Sequence, residues 1–470
     1  MTSAFQKLKI SIWGKTPEDP KEAKLLFKLD WFILSYCCLV YWINYLDRTN
    51  LSNAYVSGMK QDLNMVGDEF NIMNTCFTVG YVVALVPHNL ILLKIRPRYW
   101  LTFCAFGWAV LTLSIYKVTS VRQIYVIRFF TAVFEAVTFT GVHLILGSFY
   151  EEDLLPFRSA IFTSSGLVGS IFSGFLQSAI YSNMDDYRGI AGWRWLFIID
   201  FIITMPIVIY GFIFFPDPPQ IRKAFYFTDE EHEMLLAKIH KPKYDKFDWS
   251  VFKRLFANWH FYFFSFLFAI GGENESFPIN SLFAIWLQYY DYPVSDRNHY
   301  PMGVFGTGIF FTLASAVYIN VTGGKYHWHI GVYIMAIMLL SSILLLSAPS
   351  NNAAVFIAHY LSGAAYAGQT AYFAWANVVC ADDLQVRSIV LASMNMFSNA
   401  VNAWWSIVFY NVDTAPKFVK GCIAMICTAT TTGITYRISI SITIPSTSSS
   451  RIASKFQTRT YTFDAITDWL

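Results

Sequence analysis

The chain has 470 residues, of which 55% are hydrophobic and only 14% charged, and its mean hydropathy is +0.42. A soluble domain carries about a quarter charged residues, so this composition excludes a disordered chain, a coiled coil and an ordinary cytosolic enzyme, and leaves a polytopic membrane protein. A net charge of +3 is too small to imply a nucleic-acid partner, and an aromatic fraction of 18% fits rings that line a cavity or sit at membrane interfaces.

The first thirty residues are polar and lysine-rich, without an apolar core or a small-residue cleavage site. They read as a cytoplasmic tail (1–30), with the first span itself serving as insertion signal. Apolar stretches long enough to cross a bilayer follow near 31–57, 71–93, 99–117, 121–149, 157–181 and 194–215. A charged loop punctuated by Pro216, Pro218, Pro219 and Pro242 occupies 216–257, with an amphipathic helix expected at Asp229–Lys238. A second group of spans runs near 258–289, 301–321, 327–348, 352–378, 384–410 and 418–436. The predicted class is therefore an all-α polytopic membrane protein of about twelve transmembrane helices. With the amino terminus inside, cytoplasmic segments collect about 24 of the 34 Lys and Arg residues, which places both termini in the cytoplasm. The seven cysteines lie in or beside apolar stretches without metal-type spacing and read as small buried hydrophobes; no metal or cofactor is expected.

A charge at mid-bilayer costs at least about 2.5–3.5 kcal/mol, so intramembrane polar residues carry the functional information. In the first span Asn44, Arg48 and Ser52 recur every four residues and share a helix face. A guanidinium there can anchor a carboxylate through two parallel hydrogen bonds; the bland alternative is an Arg48 that snorkels from the outer end of a shorter helix. Asp47 points about 100° away and suits a structural or gating pair. In the fourth span Arg128 and Glu135 are two turns apart, on one face with Thr131 and Thr138. Glu135 is the first candidate for the proton-linked group, against a static pair that locks packing. In the seventh span Gly271 and Gly272 precede Glu273, Asn274 and Pro278. Paired glycines before a proline suggest a locally unwound helix whose Glu273 and Asn274 meet substrate, unless the segment already lies in the exterior vestibule. Gln369 in the tenth span can bond an amide or hydroxyl, although small neighbours make helix packing the readier explanation. Gly166, Gly169 and Gly174 read as close-packing positions, and His88, His143 and His359 as interior residues. No Walker-type loop or nucleophile elbow is present, which disfavours ATP-driven pumping.

The stretches Trp42–Met59, Val118–Ser120 leading into Arg128, Arg128–Glu135, Ser159–Gly174, Gly192–Phe201, Phe214–Pro216, Gly271–Asn274 and Ile389–Trp405 resemble the allantoate-permease branch of the anion:cation symporters, within the major facilitator superfamily. More narrowly, residues 25–430 are similar to the fungal pantothenate–proton symporters. The resemblance implies two six-helix bundles, at 31–215 and 258–436, around a central cavity with alternating access. It also implies that Arg48, Arg128 and Glu135 serve anion binding and proton coupling. The expected activity is proton-coupled import of a small carboxylate, pantothenate first, across the plasma membrane by a monomer. Biotin, allantoate or another organic anion, a passive facilitator, and a non-transporting nutrient receptor are the alternatives. One departure stands out. Arg437 interrupts the last span and 438–444 alternates, so the twelfth helix is expected to be marginal and the tail 437–470 atypical, as in a frame-shifted end.

Overall fold

A computed structural model describes residues 19–443, apart from 67–68, 152–153, 220, 239–248, 280–281, 293–295, 297–298, 323–325 and 411–415. Helices account for the architecture, and no strand occurs among the described residues. The chain starts with α1 (Pro20–Leu29), passes through a π-turn at Asp30–Leu34 into α2 (Ser35–Ala54), and closes with a second π-turn at Tyr55–Met59. Residues 20–29, expected as tail, are thus helical. The Asp19 side chain caps the first turn by accepting from the Lys21 amide at 2.9 Å, and Leu25 and Leu29 are buried.

The first half continues with α3 (Glu69–Leu92), α4 (Pro97–Ser114), the pair α5 (Val121–Glu135) and α6 (Val137–Phe149), α7 (Leu155–Met184) and α8 (Gly192–Phe214). Pro97 opens α4, where a missing backbone N–H costs nothing. The connection after α8 contains α9 (Asp229–Lys238), with the bounds read from the sequence, and α10 (Ser250–Ala257). The second half comprises α11 (Trp259–Ile279) with α12 (Leu282–Tyr289), α13 (Met302–Val321), α14 (His327–Ser347), α15 (Asn352–Ser362) with α16 (Ala367–Val379), α17 (Leu384–Phe409) and α18 (Val419–Thr443). Eight of these helical segments are long and apolar enough to cross a bilayer on hydropathy alone. Polar side chains lower the hydropathy of others, among them the buried Asn274, Glu275, Ser393 and Asn395 of α11 and α17.

One expectation fails. The helix does not unwind at Gly271–Gly272, since α11 runs unbroken through Pro278. Both glycines instead permit close approach: a Cβ at Gly271 meets the Tyr372 ring and one at Gly272 meets Ser398. The break lies at Asn258, where the chain turns by 70° between α10 and α11. The last helix, α18, continues past Arg437 to Thr443. Thr430, Thr431, Thr432 and Thr435 donate to carbonyls four residues back at 2.7–2.8 Å, so the threonine-rich run satisfies its hydroxyls inside the helix. The Ser/Thr-rich end beyond 443 lies outside the described residues.

Gly169 shows why the sequence packs as it does. Any Cβ there strikes the Trp42 carbonyl, so α2 and α7 touch backbone to backbone. Gly166 faces Tyr41 and Tyr45 in the same seam, and Gly174 faces Met302 of α13 across the two halves. The helix directions define two ends. One, called the tail face here, carries α1, α9 and the connections at 93–96, 150–154 and 380–383. There Lys21 pairs with Glu230 and Lys28 with Glu231, both at 2.7 Å, which docks α9 on α1.

Candidate functional site: a polar chamber between the halves

A cavity of about 380 Å³ lies between the two halves. From the first half Tyr45, Arg48, Phe77 and Tyr81 line it; from the second Gly272, Glu275, Gln369, Asn395 and Asn399. Asn74 and Thr78 near the start of α3, and Asn402 and Ala403 near the end of α17, line its upper part. Those are the helix ends remote from the tail face, so the chamber opens away from it.

Below the chamber the halves are closed. Phe373 stacks edge-on against Phe139 and Phe268, with centroids 4.7 and 4.9 Å apart. Lower still, Asn377 Nδ2 donates to the His143 carbonyl at 3.2 Å. Arg387 Nη2 donates to Ser148 Oγ at 3.2 Å, and Ser388 Oγ to the Asn89 carbonyl at 3.3 Å. An aromatic floor and a polar latch therefore seal the tail-face side.

Arg48 is the cation of the chamber. Its guanidinium stands over Tyr81, Phe77 and Tyr45 at 4.8, 5.1 and 5.7 Å from the ring centroids. Its Nε donates to Glu135 Oε2 at 2.9 Å. The Arg48 side chain is 28% exposed and that of Glu135 is 0%. The guanidinium thus faces chamber water while its carboxylate partner sits behind it, with Oε1 accepting no hydrogen bond from protein. Three rings around one guanidinium hold it by cation–π attraction and restrict its rotamers. Asn44 is buried beside Glu135, one turn from Arg48, as the four-residue spacing required.

The remaining candidates are placed differently. Arg128 does not line the chamber; it is buried 4.3 Å from the centroid of Phe77, within Coulombic reach of Glu135 and Asp47. Asp47 is buried away from the chamber beside Asp200, whose Oδ2 accepts from Asn50 Nδ2 at 2.9 Å. Asn50 in turn accepts from Ser173 at 2.8 Å, so this network ties α2, α7 and α8 together. Glu273 is buried off the chamber wall, and Asn274 bonds Thr428 and Thr432 of α18 at 3.0 and 3.2 Å. Because α11 stays helical, residues 272, 275 and 279 share the chamber face, and Glu275 lines it where Glu273 was expected. Gln369 does reach the chamber and donates through Nε2 to Glu275 Oε2. Helical phase applied to Gly272 alone points to Glu275; expecting an unwound segment hid it. Asn395 and Asn399, also unanticipated, lie one turn apart on the same face of α17. Of the histidines read as interior, His88 bonds the Val133 carbonyl at 2.7 Å and Trp100 at 3.0 Å, and His359 stacks on Phe283 and Phe277.

The arrangement can hold an anion at a guanidinium whose alternative partner is a buried acid. Over 423 residues the chain is 53% identical to "Pantothenate transporter FEN2" of Saccharomyces cerevisiae, covering 88% of this chain and 83% of that protein. It is 40% identical to "Pantothenate transporter liz1" of Schizosaccharomyces pombe, over 86% of this chain and 79% of that one. The "Vitamin H transporter" of S. cerevisiae matches at 27% identity, over 86% and 70% of the two chains. Among solved structures, the proton:xylose symporter XylE superposes with a TM-score of 0.71 at 13% identity, over 90% of this chain and 96% of that one. The outward conformation of the transporter FucP superposes with a TM-score of 0.62 at 13% identity, over 86% and 98%. The profile of the family described as Major Facilitator Superfamily matches residues 37–406, and the chain belongs to that family of membrane transporters.

Proposed function

We propose that this chain imports a small carboxylate, pantothenate foremost, by proton symport with alternating access. It resides in the plasma membrane as a monomer with both termini in the cytoplasm. The observation that carries this reading is the Arg48–Glu135 pair, with the cation exposed to the chamber and the acid buried behind it.

One guanidinium serves two carboxylates in turn. When Glu135 takes up a proton, Arg48 loses its internal counter-ion and turns its paired N–H donors to the substrate carboxylate. When Glu135 gives up that proton toward the other side, its carboxylate reclaims Arg48 and the substrate leaves. The chamber opens away from the tail face, so with cytoplasmic tails this is the loading state. Pantothenate offers a carboxylate, an amide and two hydroxyls. Arg48 supplies the charge match, and Gln369, Asn395 and Asn399 supply side-chain amides on the opposite wall. The names of the two relatives at 53% and 40% identity support the same substrate.

The test is growth rescue and labelled uptake in cells lacking their own pantothenate uptake, with biotin and allantoate as competitors and a protonophore as control. Rescue with protonophore-sensitive uptake is expected. Uptake indifferent to the protonophore identifies a facilitator instead, and block by biotin alone reassigns the substrate.

A further inference from the structure

A second cavity, of about 140 Å³, lies at the tail face, outside the central chamber. The end of α8, the connection after it and Arg98 in the first turn of α4 form its walls. Arg98, Arg222 and Lys223 line it, and Arg96 stands beside it, 3.9 Å from the Asp217 carboxylate. Lys223 is shared with Asp229 at 2.5 Å. Asp217 is the acid within the pocket: burial pushes its carboxyl up, against the pull of Arg96, Arg98 and Arg222. Cations therefore outnumber acids around this pocket, and Arg222 is exposed.

What lies next to the pocket decides the kind of ligand. Phe212 and Ile213 on α8 are 53% and 43% exposed. On spanning helices such side chains face acyl chains. The Arg98 guanidinium lies 5.8 Å from the ring centroids of both Tyr99 and Phe212, the depth at which aromatic and basic residues meet the headgroups. Phe225, 69% exposed, rims the pocket from the connection side. A cationic pocket continuous with an apolar, lipid-facing surface matches a molecule with a phosphate head and two hydrocarbon tails. A free anion uses only half of it.

We propose that this pocket binds an anionic phospholipid, its headgroup phosphate at Arg222 and Lys223, its acyl chains along Phe212 and Ile213, and Arg98, which donates to the Phe212 and Ile213 carbonyls, adding its charge beside the phosphate. Guanidinium groups recognise phosphate oxygens through paired hydrogen bonds, and the cytoplasmic leaflet supplies anionic lipid to a tail face oriented as proposed above.

The test is native mass spectrometry of the full chain in detergent, titrated with phosphatidylinositol or phosphatidylcholine, for the wild type and an Arg222→Ala/Lys223→Ala double variant. Each basic residue near an anionic surface is worth roughly a fivefold factor, so the affinity for phosphatidylinositol should fall about twenty-five-fold in the double variant. An Arg222→Lys/Lys223→Arg variant should retain it. Both variants should keep the wild-type thermal transition in phosphatidylcholine, because the two side chains stand outside the packed core. Equal retention of the two lipids by the wild type overturns the proposal. So does undiminished phosphatidylinositol binding by the double variant, or displacement of the lipid by millimolar inorganic phosphate.

Discussion

A Glu135→Gln substitution keeps the shape of the side chain and removes its charge, so it separates packing from coupling. In the native arrangement Arg48 Nε donates to Glu135 at 2.9 Å, and the carboxylate is wholly buried. Breaking a fully buried ion pair by neutralising one partner costs about 3–5 kcal/mol. Arg48, however, is 28% exposed to the chamber, so its freed charge is hydrated and the amide oxygen still accepts a hydrogen bond. The stability loss should therefore be nearer the ~1–3 kcal/mol of one charge-assisted hydrogen bond, and the variant should fold. The effect on transport is separate from stability. One proton moved with one monocarboxylate carries no net charge, so the pH gradient drives the cycle, at about 1.4 kcal/mol or a tenfold concentration ratio per pH unit. Losing the coupled proton should lower accumulation by about that factor for each unit of imposed gradient. Proteoliposomes with an imposed inward proton gradient and labelled pantothenate measure accumulation, and counterflow without a gradient measures exchange. The variant should keep exchange and lose accumulation. Accumulation by the variant at the wild-type level under an imposed inward proton gradient would refute the assignment of Glu135 as the coupled acid.

Arg48→Lys keeps the charge but loses the planar fork and the fit among Tyr45, Phe77 and Tyr81; the KM for pantothenate should rise on the order of tenfold or more, read from initial uptake rates. Arg387→Ala removes the donor to Ser148 Oγ and weakens the latch below the chamber; a cysteine-labelling probe at the tail-face side of the chamber should react faster than in the wild type, and unchanged labelling counts against the latch. The docking of α9 on α1 should be acid-sensitive. Burial works against ionisation of Glu231, but the Lys28 hydrogen bond, the Thr228 amide and the charges of Lys28 and Lys24 outweigh it and hold the carboxyl below its ordinary 4.5. A depressed folded value means that this contribution is fully present above pH 4.5 and is lost as the pH falls through the folded value. Hydrogen exchange over 229–238 should therefore be flat from pH 8 to 6, after correction for the intrinsic rate, and should rise only in acid. A Glu231→Gln variant should lack that acid step.

Much of the fold is legible in the sequence because lipid imposes a coarse rule. A spanning segment must be apolar, about twenty residues long and internally hydrogen-bonded, and the spans read from 31 to 436 correspond to helices. The rule says less at the ends. Pro20–Leu29 reads as tail because its lysines hide Leu25 and Leu29, which are buried once α9 docks through Glu230 and Glu231. Arg48 and Glu135 are legible singly, because a charge within a span must face a cavity or a partner; helical spacing sets Glu135 with Arg128, whereas the fold pairs it with Arg48 of another helix. Glu273 and Glu275 are not distinguishable by composition, since both are acidic and both are buried. Only the helical phase set by Gly272 decides which one faces the chamber, and that phase follows from two glycines packing on Tyr372 and Ser398. Sequence periodicity cannot tell a glycine that loosens a helix from one that lets a neighbour in.

The placement of Glu275 bears on how the chamber discriminates. An anion entering from the open side meets Arg48 on one wall and the Glu275–Gln369 pair on the other. A ligand that is anionic at both ends puts its second carboxylate beside an acid, and an ionised Glu275 repels it within a cavity of about 380 Å³. A ligand with one carboxylate and neutral polar groups at its far end escapes that repulsion and can donate hydroxyls to the second wall. With Glu275 ionised, the chamber should reject dicarboxylates by charge and accept hydroxylated monocarboxylates by hydrogen bonding, specificity through a repulsive element as well as an attractive one. On this reasoning Glu275→Gln should admit dicarboxylates as competitors of pantothenate uptake that the wild type ignores, while protonophore sensitivity, which rests on Glu135, persists. Competition profiles that match the wild type for every dicarboxylate tested would place discrimination elsewhere in the chamber.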